Sequence, residues 1–343
     1  MNFEEKAFVF REFGVSGREE NIKKSIKKYA SRLVDEILHD VTGSLICVKR
    51  GSGRNKNTLM LTAHMDTIGF IITYIDEKGF LRFSEIGSHP RAWLLGKTVI
   101  FENGTTGVMG IERKEHEKTL PVEKMFIDIG ATSKAEAMKR VRVGDVAAVY
   151  SPCRVNERVI SGAWLDDRVG CLVLLEVMQN ITRTPNDIFF VFSVQEEVGL
   201  RGATTASYTI QPDLGLVVDV TASSDLPEGE AEGSCAFGNG AGIKIMDRSV
   251  IVPRRFSDFL CSLAERNKIP YQKDVLRKGS TDAHAIQLSR GGVLTGGVSI
   301  PVRYIHSAGE LCSMDDVESC IRLVHCFCVE DLTRLVSRGI YAK

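Results

Sequence analysis

The segment Asp187-Ile188-Phe189-Phe190-Val191-Phe192-Ser193-Val194 runs directly into Gln195-Glu196-Glu197-Val198-Gly199-Leu200-Arg201-Gly202. A near-continuous apolar run of this length marks a strand covered on both faces, as in a parallel sheet flanked by helices. In open α/β sheets the ligand site lies beyond the carboxyl ends of the strands. Two adjacent carboxylates at such an end repel unless something positive stands beside them, and a metal ion is the obvious candidate. Gly199 and Gly202 let the backbone turn sharply just after the pair.

The same arrangement recurs along the chain. Phe3 to Phe13 reads as a short helix, Gly14 to Gly17 as a loop with Ser16 or Gly17 near the cap of a new helix, and Leu33, Val34, Ile37 and Leu38 as a further helix. Leu45 to Val48 and Thr58 to Ala63 look like strands, the second delivering His64 and Asp66, a spacing that suits a ligand histidine oriented by a nearby carboxylate. Asp166 and Asp167 precede a helix from Arg168 to Ile181; one caps it and the other is free to ligate, and spacing alone does not separate them. The strand Leu214 to Val218 ends in Asp219. Gly291 to Ile300 has strand texture and is followed by Arg303, Tyr304 and His306. Repeated at successive strand ends, such residues are hard to read as surface decoration. Between these segments, Ala203 to Tyr208 and Val252 to Asn267 read as helices and Ile243 to Met246 as a strand, which leaves Gly238 to Gly242 short of a phosphate-binding fingerprint. Asp282 and His284 suit capping or pocket lining as well as ligation.

Between Phe70 and Glu157 the texture changes to short alternating segments with turn signals at Asp76 to Gly79 and at Asn103-Gly104. The expected architecture is therefore an α/β domain, 1–69 and 158–343, with a mixed central sheet and helices on both faces, interrupted by a small β-barrel-like domain at 70–157. Within the insertion, Glu112 to Lys124 is charged and pattern-free and reads as a mobile loop.

Lys and Arg together number 44, as do Asp and Glu, so no net field points to nucleic acid or membrane. The charged start and the lack of an apolar run near ~20 residues fit a cytoplasmic protein. Nine cysteines, odd in number and mostly in apolar surroundings, suit reduced core thiols. Cys320, Cys326 and Cys328, with His325, lie on a helical pattern that points them to different faces, so they read as packing residues rather than a zinc site.

The collected candidates are His64, Asp166, Glu197, Asp219 and His306, with Glu196 and Asp66 beside them. Two histidines and three carboxylates form an N/O donor set that favours Zn, Co or Mn over calcium. Two divalent ions sharing a bridging carboxylate, spaced ~3.5–4 Å apart, activate a bridging water and polarise a carbonyl at once. Glu196 is then placed to take the proton of that water and return it to a leaving amine.

These blocks, His64-Met65-Asp66, Leu165 to Arg168, Gln195 to Gly202, Val218-Asp219 and Arg303 to Ser307, resemble the motif set of metallopeptidase family 42, the TET-type or glutamyl/leucyl aminopeptidases, some once labelled endoglucanases. The order matches over nearly the whole chain. The resemblance implies that His64, Asp166 and Asp219 hold one metal and that Asp166, as bridge, with Glu197 and His306 holds the other. It further implies Glu196 as general base and acid, Asp66 as the group orienting His64, peptides as substrates, and dimers assembling into a hollow tetrahedral dodecamer. The chain departs from the usual pattern at Ile86 to Arg91, at Gly238 to Ala241 and at Ser307 to Glu310. Arg303, Tyr304 and Asp282 are candidates for substrate binding. Pocket charge decides between acidic, basic and aliphatic N-terminal residues, and Arg91, Arg168, Arg201, Lys278 and Arg303 are the cations that could enter it. A deacylase or carboxypeptidase on the same centre, and an inactive peptide-binding protein, are the competing readings. A glycosidase is disfavoured, because adjacent acids at one strand end are poorly placed to straddle a glycosidic bond.

Overall fold

The computed structural model describes residues 3–54, 56–112, 120–227 and 233–336. Its strands in chain order are β1 (Glu36–His39), β2 (Leu45–Lys49), β3 (Thr58–His64), β4 (Gly69–Ile75), β5 (Leu81–Ile86), β6 (Thr98–Phe101), β7 (Thr106–Ile111), β8 (Met125–Asp128), β9 (Val146–Val149), β10 (Arg154–Asn156), β11 (Val159–Gly162), β12 (Asp187–Ser193), β13 (Leu214–Ala222), β14 (Ala241–Met246), β15 (Tyr271–Val275), β16 (Leu294–Arg303) and β17 (Glu310–Ser313). Eleven of them form one mixed sheet, whose main path is β1-β2-β12-β3-β13-β16-β17-β11-β10, with β14 and β15 added alongside β16. The central strands β12, β3, β13 and β16 run parallel, and their carboxyl ends therefore share one edge.

The apolar runs read as two-face strands are covered on both sides. The Leu165–Asn180 and Met314–Val329 helices pack on one face, and the Arg201–Ile210 and Ala283–Gln287 helices on the other. The Leu165–Asn180 helix buries residues around its whole circumference because it is sandwiched between the sheet and the Met314–Val329 helix. Cys320 and Cys328 are buried on the latter helix, and all nine cysteines are free thiols, in keeping with the packing role expected for them. No helix among the described residues is long and apolar enough to cross a membrane.

Strands β4 to β9 close into a separate six-stranded barrel in the order β4-β5-β8-β7-β6-β9. Alternate residues point inward, and Phe70, Leu81, Phe83, Val99, Phe101 and Ile127 fill its core. Strand β10, which falls within 70–157, pairs with β11 in the larger sheet. A small apolar seam of Phe13, Val15, Val146, Ala148, Ala163 and Trp164 joins barrel to sheet.

Three expectations are corrected. The helix expected through Leu33 to Leu38 ends at Ala30; Ile37 and Leu38 lie on edge strand β1, whose ladder with β2 outweighs the helical spacing of four apolar residues. The second helix starts at Glu20, and Ser16 is released from the capping role to make a tertiary bond described below. Strand β13 continues past Asp219 to Ala222. The charged loop expected at 112–124 lies largely outside the described residues, with Val122–Lys124 forming a 3₁₀ turn.

Candidate active site

The site forms where the parallel strands end. His64 closes β3 in register with Ser193 of β12, which brings the Glu196-Glu197 turn beside it. Strand β13 pairs with β3 only as far as Val217, then stays with β16. That divergence opens room for the Asp219 side chain next to His64, with Asp219 Oδ1 at 3.9 Å from His64 Nε2. Several residues flanking these segments adopt left-handed backbone angles: Trp164, Gln195, Leu200, Tyr304 and His306. Such positions cost non-glycine residues energy and concentrate where side chains must be aimed.

Asp166 stands at the centre. One carboxylate oxygen lies 3.1 Å from His64 Nε2 and the other 3.2 Å from His306 Nε2. His306 Nε2 is also 3.4 Å from Glu197 Oε1, a buried oxygen that meets no donor in hydrogen-bonding geometry. His64 Nδ1 faces the Asp66 carbonyl at 3.1 Å, which places a proton there and turns Nε2 toward Asp166 and Asp219. Ligand-capable atoms of His64, Asp166 and Glu197 lie within 4.8 Å of one another, as do those of His64, Asp167 and Asp219. Asp167 is nevertheless engaged: it accepts from the backbone N–H groups of His64 and Gly170. The two roles that spacing could not apportion thus separate, Asp167 bonding the first helical turn and Asp166 facing the histidines.

The Asp66 carboxylate does something the sequence did not suggest. It sits 3.6 Å from His64 Nδ1, while accepting from the N–H of Glu196 at 3.0 Å, the N–H of Glu197 at 3.3 Å and the hydroxyl of Ser16 at 2.7 Å. It thus holds the acid turn while also facing the His64 ring, whose Nδ1 meets the Asp66 carbonyl as well. A second anchor, Glu310, was missed. It accepts from the N–H of Leu165 at 2.6 Å, of Asp166 at 3.2 Å and of His306 at 2.7 Å, and so ties two site loops together. The available signal was an acid four residues after His306, too common a pattern to single out. Glu19 likewise accepts from Gln195 N–H just ahead of the acid turn.

The electrostatics are those of a site short of positive charge. Burial pushes Glu196 and Asp219 well above the usual carboxylate range, with neighbouring acids adding repulsion. Burial opposes ionisation of Asp166 too, but its hydrogen bonds to His306 and His64 outweigh it and hold the carboxyl low. Glu310 is pushed up to about 8 by burial and by Asp166. A divalent cation inverts this logic, since a bound cation becomes the largest local charge.

A cleft of about 500 Å³ opens over these groups, lined by His64, Asp166, Glu196, Glu197, Asp219 and His306. The substrate-binding candidates lie elsewhere. Arg303 pairs with Asp225 and stacks over Phe237, Tyr304 meets Trp93 edge-on, and Asp282 is buried beneath the site accepting from Ser193. Of the candidate pocket cations, Arg91 bonds Glu85, Arg201 bonds Gln195, and Arg168 donates to the carbonyls of Val9 and Glu12; Lys278 alone lines the cleft.

A mixed α/β sheet thus carries a histidine and carboxylate cluster at its parallel strand ends, with a barrel inserted into the chain. Residues 43–323 match the family described as M42 glutamyl aminopeptidase. A putative aminopeptidase of Acetivibrio thermocellus is 45% identical over 313 residues, covering 91% of this chain and 93% of that one. An aminopeptidase from the archaeon Desulfurococcus kamchatkensis superimposes with a TM-score of 0.94 at 35% identity, covering 99% of this chain and 98% of its own. A TET1 peptidase of Pyrococcus horikoshii, which can assemble into a tetrahedron or a large octahedral shell, gives 0.84 at 31% identity, over 96% of this chain and 99% of that one. The chain belongs to the M42 glutamyl aminopeptidase family and is an enzyme acting on peptide bonds.

Proposed function

We propose that the chain releases N-terminal residues from peptides at a dinuclear centre, with His64, Asp166 and Asp219 holding one divalent ion and Asp166, Glu197 and His306 the other. The observation that carries this is the division of the Asp166 carboxylate between His64 Nε2 and His306 Nε2, the placement a bridging ligand needs. The donor set fits: two imidazole nitrogens, carboxylate oxygens, and an otherwise unpartnered buried Glu197 oxygen. Zn, Co or Mn ions held there supply Lewis acidity and make a water nucleophilic near neutral pH. The chain's own contribution is to position and to move a proton. Glu196, 8% exposed on the cleft wall with its backbone N–H pinned by Asp66, accepts the proton of the attacking water at its carboxylate and gives it to the leaving amine. Glu310 and Asp66 keep the site loops fixed, which lowers the cost of reaching the reactive geometry.

Metal analysis of the purified protein tests the assignment. Two ions per chain are expected in the wild type, and about one in His64→Ala or His306→Ala. Two ions retained in both variants, or activity in Glu196→Gln near that of the wild type, would sink it. Similarity to the Pyrococcus horikoshii TET1 peptidase supports self-association. We assign to this chain a dodecamer built from dimers, with the barrel serving assembly or access, and light scattering of the intact protein gives the mass that decides it. The free buried thiols suit a reducing cytoplasm.

A further inference from the structure

The catalytic cleft has an apolar neighbour. A groove of about 640 Å³ lies beside the Arg201–Ile210 helix, and Gly199 and Leu200 line both it and the cleft. The turn between β1 and β2 gives it Val41, the helix gives it Tyr208, and the segment after the Ala283–Gln287 helix gives it Leu288 and Arg290. Val41, Tyr208 and Leu288 are among the most exposed large apolar side chains of the described residues. Scattered singly they need no explanation, but gathered on one concave surface of ligand-pocket size they mark a place that something covers. The groove's carboxylate, Asp40, is taken up by the N–H groups of Gly43 and Ser44 and by the hydroxyls of Thr42 and Thr205. The Arg290 guanidinium stacks 3.9 Å over the Tyr208 ring and donates to the Tyr208 carbonyl, and it makes no ion pair among the described residues.

We propose that the groove binds the part of a peptide substrate downstream of the scissile bond, seating apolar side chains on Val41, Tyr208 and Leu288 and a carboxylate of the peptide on Arg290. The inference rests on the aminopeptidase reading above. A peptide held at the cluster by its first residue must run the rest of its chain out of the cleft, and cleft and groove meet at Gly199 and Leu200. That junction is open: a Cβ at Gly199 would meet nothing within 4 Å. Leu200, at the cap, and Tyr208 stand eight positions apart on one helix, which is ~12 Å at 1.5 Å per residue. An extended peptide covers that distance with about four residues, so a chain of about six reaches from the cluster to the far end of the groove. Binding energy gained there is available to the reacting bond. A second copy of the chain seated on the same residues would cover the junction at Gly199 instead of threading through it.

The test compares substrates of the full chain that share one N-terminal residue, the one whose p-nitroanilide is cleaved fastest. They are that p-nitroanilide, which has no downstream residues, and peptides of two, four, six and eight residues with apolar side chains downstream and a free carboxyl end. We expect kcat/KM to rise at least ~10-fold from the dipeptide to the hexapeptide and to level off beyond it. Leu288→Asp and Arg290→Ala, both at exposed positions, should each cut kcat/KM for the hexapeptide about 10-fold while the p-nitroanilide keeps its wild-type value. A wild type indifferent to length overturns the proposal, as do variants that lower both rates equally or neither. A changed light-scattering mass in the variants, with both substrates affected alike, assigns the groove to a contact between copies and overturns it too. Fluorescence anisotropy of a labelled hexapeptide reads binding separately. Binding weakened by Leu288→Asp, with no substrate cleaved by the wild type, would overturn the aminopeptidase reading and leave the groove standing as a peptide site; neither binding nor cleavage overturns both.

Discussion

The interior of the barrel and the strand ends of the large sheet bury opposite things. The barrel interior is filled by Phe70, Ile72, Phe83, Val99, Phe101 and Met109, and its stability follows from area removed from water. The parallel strand ends of the large sheet instead bury Asp66, Asp166, Asp219, Glu196, Asp282 and Glu310 within one region. Burial raises the carboxyls of Glu196, Asp219 and Glu310, so this region holds charge at a cost in stability. A fold tolerates such a cost where the groups act on something other than the fold itself.

That contrast can be broken by experiment. The largest effect belongs to the charged region. Glu196→Gln removes the proton acceptor while keeping side-chain volume, and kcat should fall ~10²–10⁴-fold with the far-ultraviolet circular dichroism unchanged. In the barrel the largest effect is on stability: Phe101→Ala leaves a cavity and should cost about 3–5 kcal/mol in denaturant unfolding, while kcat per folded molecule stays near the wild-type value. A large loss of kcat there would mean that the barrel core communicates with the site. Chelation comes next. Stripping divalent ions should abolish turnover and lower stability by about 2.7 kcal/mol where the free ion had stood ~100-fold above its Kd. Hydrogen exchange should then quicken at His64 to Asp66 and Glu196 to Leu200, with the barrel strands unaffected. Smaller again is Glu310→Gln, which keeps the shape but replaces the carboxyl that accepts three N–H bonds by an amide. A loss of about 1–3 kcal/mol and a lower kcat at constant KM are expected, and a variant with wild-type turnover would reduce Glu310 to a loop fastener.

How much of this was legible in the sequence follows the same division. Strands such as Ile188 to Phe192 announce themselves because burial on both faces demands an unbroken apolar run, and their carboxyl ends point to the chemistry. The ladder partner of Ile37 and Leu38 is set by tertiary pairing with β2, so four apolar residues at helical spacing pointed the wrong way. The acids facing the cleft could be collected as a set, whereas those acting through backbone N–H groups could not. Glu310 and the Asp66 carboxylate bind main-chain donors supplied by distant segments, and nothing in the residue types of Leu165 or Glu197 advertises a donor N–H. Asp282 failed as a pocket residue for a related reason: its neighbour Thr281 faces the cleft, and a one-residue step turns the next side chain inward onto Ser193.

The finest test of the contrast deletes a hydroxyl from each body. Ser16 donates to Asp66 in the buried anchor of the acid turn, and Ser133 accepts from Glu136 N–H at the cap of the short Lys134–Ala137 helix beside the barrel. Alanine at either position removes one hydrogen bond, and each should cost about 1 kcal/mol of stability. The effects on rate should differ. Asp66 keeps its two backbone bonds in Ser16→Ala but loses its third donor, so the Glu196-Glu197 turn loosens and kcat should drop several-fold, since misplacements of about 1 Å near the chemistry can cost ~10²-fold. Ser133→Ala should leave kcat unchanged, because its carbonyls and amides belong to a surface turn with no bond to the site. Steady-state kinetics on the two variants, matched for stability by denaturant midpoint, distinguish a buried anchor from a local cap; equal rates in both would mean that the Asp66 network holds the turn with bonds to spare.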